Sequence, residues 1–379
     1  MKGLGGLFFG VVVFLPLFRF SDVASAAMPK PENVREFTIT ENDTTTYTLK
    51  LALDENDQPS YFFRNIFTPV CLTGECKPVY INFYWDLLGN YTRFDFPTGE
   101  VLTKMDHREF KQEDYDKLQD ILSRPNSLLK DIAMEDLVGK GTENLADSVD
   151  AKAGATLKTV KNEVIDGAVY TCYTLWHIAH GNVVDEMLKI TESYKSEPLL
   201  HRFLTGTNHF YQYWAMERVI DKTGKLAEPF SADVLRIIRG KNVFTARFAL
   251  QKIGDPYFFD PNRQVWLWET YRTAPYPLQL VILKKLAKIP FRAPLAEMTA
   301  KELTKTNSEQ FALLLKLLAA QPKLSEKALQ NLAAHLTNQN ADYTTEIYRV
   351  LASFHPKNRD VVAKMNAYKI AGRDLQSRP

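Results

Sequence analysis

Two hydrophobic periods divide this chain. As far as about residue 97, apolar side chains recur at every second position, the period of a half-buried strand. Phe37-Thr38-Ile39-Thr40 and Thr46-Tyr47-Thr48-Leu49-Lys50-Leu51 alternate in this way on either side of Asn42-Asp43. The clearest case lies between residues 78 and 97. Val79, Ile81, Phe83 and Trp85 alternate with Tyr80, Asn82 and Tyr84, and Asp86-Leu87-Leu88-Gly89-Asn90 provides a turn. Tyr91-Thr92-Arg93-Phe94-Asp95-Phe96 returns and Pro97 stops it, which predicts a β-hairpin.

From residue 108 onward the spacing changes to three and four. Tyr115, Leu118, Ile121 and Leu122 share one helical face, and Ser127-Leu128-Leu129 with Ile132 begins a second, short helix. Leu157, Val160, Val164, Ile165, Ala168, Val169, Cys172, Leu175 and Trp176 then predict a helix from Thr156 toward Gly181. Gly167 interrupts it at modest cost. His177 and His180 stand three apart near its end, so both can face one ion. No acidic or cysteine third ligand stands at a fixed spacing, and a His in the last turn also favours the helix dipole by itself.

Past residue 183 the strand patterns vanish. Leu250/Ile253, Leu283/Leu286, Leu315/Leu318 and Tyr348/Leu351 recur at intervals of 33, 32 and 33, with partner helices around Leu235, Leu267, Leu303 and Leu332. A period in the low thirties with two helices per unit predicts an α-solenoid. The consensus Trp-Leu-Gly-Tyr positions of tetratricopeptide units are missing, so the expectation is HEAT-like. Its aromatics, densest at His209-Phe210-Tyr211-Gln212-Tyr213-Trp214, are expected mostly to pack between helices, and Lys284, Lys285 and Lys288 to form a solvated basic face.

Composition adds an address. The 379 residues are 45% hydrophobic and 24% charged, as in a soluble globular protein, and exceed one ordinary core. A net charge of +2 gives no reason to expect nucleic acid. Met1-Lys2, the apolar run Gly3 to Phe18 and Ala24-Ser25-Ala26 read as a signal peptide, residues 1–26, cleaved after Ala26, with an uncleaved anchor as the other reading. The mature protein is therefore expected to be exported, to the periplasm, where a Cys71–Cys76 disulfide is permissible. Cys172, on an apolar helix face, is expected to be a buried thiol.

One stretch carries candidate chemistry. In Ser148-Val149-Asp150-Ala151-Lys152-Ala153-Gly154-Ala155-Thr156, two small residues precede a hydroxyl, so backbone or ligand can approach closely. With Thr156 in the first turn of a helix, the unpaired N–H groups there would favour a phosphate. Thr156 as a plain N-cap is the other reading. The stretch resembles the attachment motif of the FMN-binding domain family. That family includes exported subunits of Rnf-type and sodium-pumping NADH:quinone reductase complexes and NosR-type regulators. Asp150, Gly154, Ala155 and Thr156 match its pattern, while Ala153 stands where the family usually has Ser or Thr. The hairpin before the motif also follows the family's order of elements.

The resemblance implies FMN joined by its phosphate to Thr156 by a flavin transferase. Asp150 would take part in recognition, and Gly154 and Ala155 would let phosphate and ring lie close. The expected organisation is a β-rich lead (27–70), an α+β FMN-binding-like domain (71–182) and an all-α HEAT-like repeat domain (183–379). The repeats would dock a redox partner protein. No Gly-x-Gly-x-x-Gly, Walker, Gly-x-Ser-x-Gly or His-Glu-x-x-His motif is present in the chain. An electron-transfer module and an exported interaction scaffold that carries no flavin both remain open at this point.

Overall fold

Alternating strand residues need a second layer to cover their apolar face, and the N-terminal half of the chain provides one. The computed structural model describes residues 33–41, 45–70, 76–104, 107–137, 160–337 and 341–376. These fall into two compact units, one comprising residues up to 183 apart from 88–90, the other residues 88–90 and 184 onward. The layout is α+β: an antiparallel sheet comes first and helices follow.

The sheet has five strands, β1 (Asn33–Thr40), β2 (Thr46–Leu53), β3 (Pro59–Thr68), β4 (Val79–Trp85) and β5 (Tyr91–Asp95). They pair in sequence order and every pairing is antiparallel, so the sheet is a meander. The hairpin read from residues 78–97 is β4–β5, with Gly89 in the left-handed region at φ 76° in its turn. The strand β3 is an addition to what the pattern suggested.

One face of the sheet is the core. Leu49, Leu51, Phe62, Ile66, Ile81, Phe83 and Trp85 are all at most 1% exposed. The other face is aromatic and half-open. Phe63 and Tyr84 stack at 6.0 Å, and Arg93 lies 3.7 Å over the Tyr84 ring. Burial, with Asp95 alongside, raises the Tyr84 phenol to about 12. Asn65 donates to Asn82, and Asn82 donates to Asp95, a rung of hydrogen bonds across β3, β4 and β5.

Two helices belong to this unit. α1 (Gln112–Leu122) buries Leu118, Ile121 and Leu122, and the Asp114 carboxylate accepts the Lys111 N–H at its start. α2 (Val169–His180) buries Val169, Cys172, Leu175, Trp176 and Ala179. The helix expected to run from Thr156 toward Gly181 is described as a continuous helix only from Val169, and Thr156 itself lies outside the described residues. Over residues 160–168 the chain makes a single 3-10 turn (Lys161–Glu163) and then passes through Gly167 at φ 77°. Val160, Val164 and Ile165 are buried as their helical spacing implied, but by an irregular strap. Likewise, Ser127 caps a 3-10 turn (Leu128–Asp131) rather than a second α-helix.

The second unit is helical throughout its described length after 183. It comprises α3 (Val183–Ser193), α4 (Glu197–Thr205), α5 (His209–Val219), α6 (Ser231–Ile238), α7 (Val243–Lys252) and α8 (Pro261–Thr273). Then come α9 (Tyr276–Leu286), α10 (Ala293–Glu302), α11 (Ser308–Ala319), α12 (Glu326–Ala334), α13 (Ala341–Ser353) and α14 (Arg359–Gln376). The helices α5, α7, α9, α11 and α13 start 34, 33, 32 and 33 residues apart. Each of α7, α9 and α11 packs on the equivalent helix of the next pair, as do α10 on α12 and α12 on α14. The pairing starts with α4 and α5, earlier than the leucine pairs indicated.

The leucine pairs are core: Leu250, Ile253, Leu283, Leu286, Leu315 and Leu318 are all at most 5% exposed. In the last unit the buried residues are Ile347 and Leu351, whereas Tyr348 is only half-buried and meets Tyr368. Lys285 also departs from expectation. It is 8% exposed, and its ammonium donates to the Ile253 carbonyl and to Asp255. A cation whose hydrogen bonds are satisfied inside the fold is compatible with burial, so Lys285 is no part of a solvated face.

Candidate functional site

The four residues expected to hold a flavin, Asp150, Gly154, Ala155 and Thr156, lie outside the described residues. So does Cys71, and with it the expected Cys71–Cys76 pairing; the signal segment 1–26 does as well. What the structure describes is the ground on which the motif's downstream end stands, and a cleft in the same unit.

The strap after the motif is fixed by a half-buried acid, Glu163. Glu163 accepts from Arg124 Nη1 at 3.0 Å through one carboxylate oxygen and from Ser127 Oγ at 2.6 Å through the other. Val160 and Val164, on either side, are fully buried. Position 160, four residues beyond Thr156, is therefore built into the core of this unit.

Next along the chain, α2 presents a row of donors. Trp176 Nε1 donates to the Arg124 carbonyl at 2.9 Å, and Tyr173 Oη to the Ile132 carbonyl at 3.1 Å. His177 Nε2 bonds the Leu129 carbonyl at 3.0 Å and His180 Nε2 the Leu122 carbonyl at 2.8 Å. A carbonyl can only accept, so both imidazoles carry their proton on Nε2. These four bonds satisfy backbone oxygens in residues 122–132, a stretch with little helix of its own. The two histidines thus serve separate carbonyls instead of converging on one point. Among the described residues no group of three or more His, Cys, Asp or Glu is placed to hold a metal ion. Burial holds both imidazole pKa values below the ordinary range, against the pull of the carbonyl bonds.

Beside this row is a cleft of ≈ 290 Å³ lined by β-strand and α2 residues, among them Glu41, Tyr47, Arg64, Thr68, Thr174 and His177. Strand alternation puts Arg64 on the same face as Phe62 and Ile66, which is the core face. Its guanidinium lies 3.7 Å over the Tyr47 ring. Burial lowers the Arg64 pKa, and Glu41 acts on it only through its field. The arrangement can bind an anion. Sequence reasoning missed it, although an arginine between Phe62 and Ile66 at core register was a visible signal.

The aromatic cluster at 209–214 is absorbed by packing. Tyr211 stacks on Phe203 at 4.0 Å, Tyr213 meets Phe248 edge-on at 4.9 Å, and Arg218 covers the Trp214 ring at 3.6 Å. Phe210 is left out, 53% exposed. Phe244 (73%) and Tyr276 (43%) share its place, at the first or second residue of α7 and α9.

No helix among the described residues is long and apolar enough to cross a membrane. Compared with known proteins, the chain matches no family model, no curated protein and no solved structure.

Proposed function

We propose that this chain is an exported electron-transfer module that carries FMN covalently on Thr156, with a HEAT-like helical repeat that docks a redox partner protein. The observation that carries the reading is the sequence Asp150-Ala151-Lys152-Ala153-Gly154-Ala155-Thr156 and its resemblance to the FMN attachment motif. Two features of the fold support it. The strap four residues downstream is anchored through Glu163, so a group on Thr156 would be tethered to a fixed point. Phe210, Phe244 and Tyr276 recur once per helix pair as exposed aromatics, a composition suited to a protein interface.

In this reading Thr156 Oγ forms a phosphoester with the FMN phosphate. Gly154 and Ala155 leave room beside it, and Asp150 serves recognition by the transferase. The flavin would supply one- and two-electron chemistry, while the protein fixes its position and surroundings. The test is intact mass and visible absorbance after coexpression with a flavin transferase. The expected sample is yellow and heavier by one FMN less water, and Thr156→Ala is colourless and unshifted. An unshifted wild-type chain, with the transferase active on another substrate, would overturn the reading.

A second reading has its own observation. α2 begins at Val169, and the described residues before it, 160–168, form an irregular strap and no continuous helix. An exported interaction scaffold without flavin fits that finding. It predicts colourless protein from the same coexpression, and recovery of a partner through residues 200–370.

A further inference from the structure

We propose that the cleft between the core face of the sheet and α2 is a binding site for a small oxyanion, a carboxylate or a phosphate, held by the guanidinium of Arg64. The proposal does not depend on the flavin reading. It rests on Arg64, and it stands or falls whether or not Thr156 is modified.

The argument starts from the cost of placing a cation on a core face. A charge drawn out of water is destabilising unless it is paired or hydrogen-bonded. Other half-buried arginines among the described residues show such pairing. Arg93 bonds Asp95 at 2.8 Å, and Arg218 bonds Glu192 at 2.6 Å. Arg124, a little more open, bonds Asp120 and Glu163, both at 3.0 Å. Arg64 has a ring on one face and, among the described residues, no carboxylate at ion-pair distance and no hydrogen-bond acceptor. The Tyr47 ring stabilises the cation from above but engages none of its N–H groups. A planar guanidinium held flat by a ring keeps its edge donors, and that edge matches a carboxylate or phosphate in bidentate geometry.

The surroundings agree with an anion as the missing partner. Thr174 and Asn182, whose side chains can donate hydrogen bonds, are among the residues that line the cleft. Glu41, the one acid among the described lining residues, is exposed to solvent. The volume of ≈ 290 Å³ lies at the small end of ordinary ligand pockets, which favours a small anion over a nucleotide. The structural alternative is that Arg64 is simply a cation–π partner of Tyr47 and needs nothing more. That alternative predicts no anion-dependent change at Arg64.

Phenylglyoxal labelling of the full chain, read residue by residue from peptide masses, separates the two. Arg64 is expected to label, because its guanidinium faces a cleft and is engaged by no acid. Inorganic phosphate and benzoate serve as the tetrahedral and the planar probe. Either probe, at about ten times its dissociation constant, should slow labelling of Arg64 about tenfold and leave Arg218 unchanged. Protection by phosphate alone assigns a phosphate site, and protection by benzoate alone or more strongly assigns a carboxylate site. Arg64 that fails to label in the folded chain, or labels at one rate with and without both probes, would overturn the proposal. Arg64→Lys keeps the charge and should retain the thermal midpoint while losing the midpoint increase that the better probe gives to wild type. An increase of equal size in Arg64→Lys and Arg64→Gln would also count against the site.

Discussion

The sheet unit and the helical unit hold their irregular segments by ties of different reach. In the sheet unit, Trp85 Nε1 donates to the Ala179 carbonyl 94 residues away, and Trp176, His177 and His180 reach back 52, 48 and 58 residues. In the helical unit the comparable ties span one repeat. Gln264 reaches Pro290 over 26 residues, Gln310 reaches Gln279 over 31, and Asn331 reaches Glu297 over 34. Long ties make one cooperative body, in which a lost contact is felt by every element. Short ties make a chain of neighbours, in which damage stays near its source.

The largest effect should come from breaking a long tie at its most buried point. Trp85 is fully buried, meets Phe83 edge-on at 5.7 Å and donates to Ala179. Trp85→Ala removes the ring and leaves that carbonyl without its donor, at a cost of about 3–5 kcal/mol. Hydrogen exchange should then rise together in β2, β3, β4, α1 and α2. A rise confined to β4 and α2 would mean that this unit is not one cooperative body.

A short tie should fail locally. Gln264 is completely buried; its amide donates to the Phe258 and Pro290 carbonyls and its carbonyl accepts the Arg292 N–H. Gln264→Ala strands the buried Phe258 carbonyl and two part-buried backbone groups and should cost about 1–3 kcal/mol. Exchange should accelerate from the 3-10 turn Asp255–Phe259 through α10, while α12 and α13 keep their protection. Equal acceleration in all the helices would show that the repeats unfold as one and would erase the contrast between the units.

What could be read in advance follows the same division. The hairpin β4–β5 was legible because strict alternation and an Asp-to-Gly turn agree. The strand β3 was not, because Phe62 and Phe63 are apolar on both faces and Arg64 breaks the core-facing register. The helical period was legible in its leucines, and its start was written in cap residues. Asn208 and Asn242 each cap their helix through two backbone N–H groups, Asn307 caps α11, and Pro275 occupies the same place before α9. The continuous helix predicted from Thr156 to Gly181 is interrupted over residues 160–168 for a local reason. Val160, Val164 and Ile165 are spaced for a helix, but Gly167 turns left-handed and the chain reaches its helical path only at Val169. Periodicity reports which side chains are buried, and an irregular strap can bury the same set. Of the candidate site, the cation on the core face lay open to reading and was passed over, since strand patterning sorts residues by polarity and asks nothing about pairing.

The smallest effect tests the sheet unit through its histidines. Burial lowers the pKa of His177 and His180 below the ordinary 6.5, while the unfolded chain keeps the ordinary value. Between the folded and unfolded values the unfolded chain binds more protons, so stability rises with pH. The contribution is fully present above about pH 6.5 and is lost as the pH falls from there through the folded values. His180→Gln keeps a neutral donor that can reach the Leu122 carbonyl and cannot titrate. Its denaturation midpoint should therefore fall less than that of wild type between about pH 7 and about pH 5. If the His180→Gln chain loses stability on acidification as steeply as wild type, the carbonyl-bound imidazole does not set the acid response of the sheet unit, and its row of donors on α2 serves geometry alone.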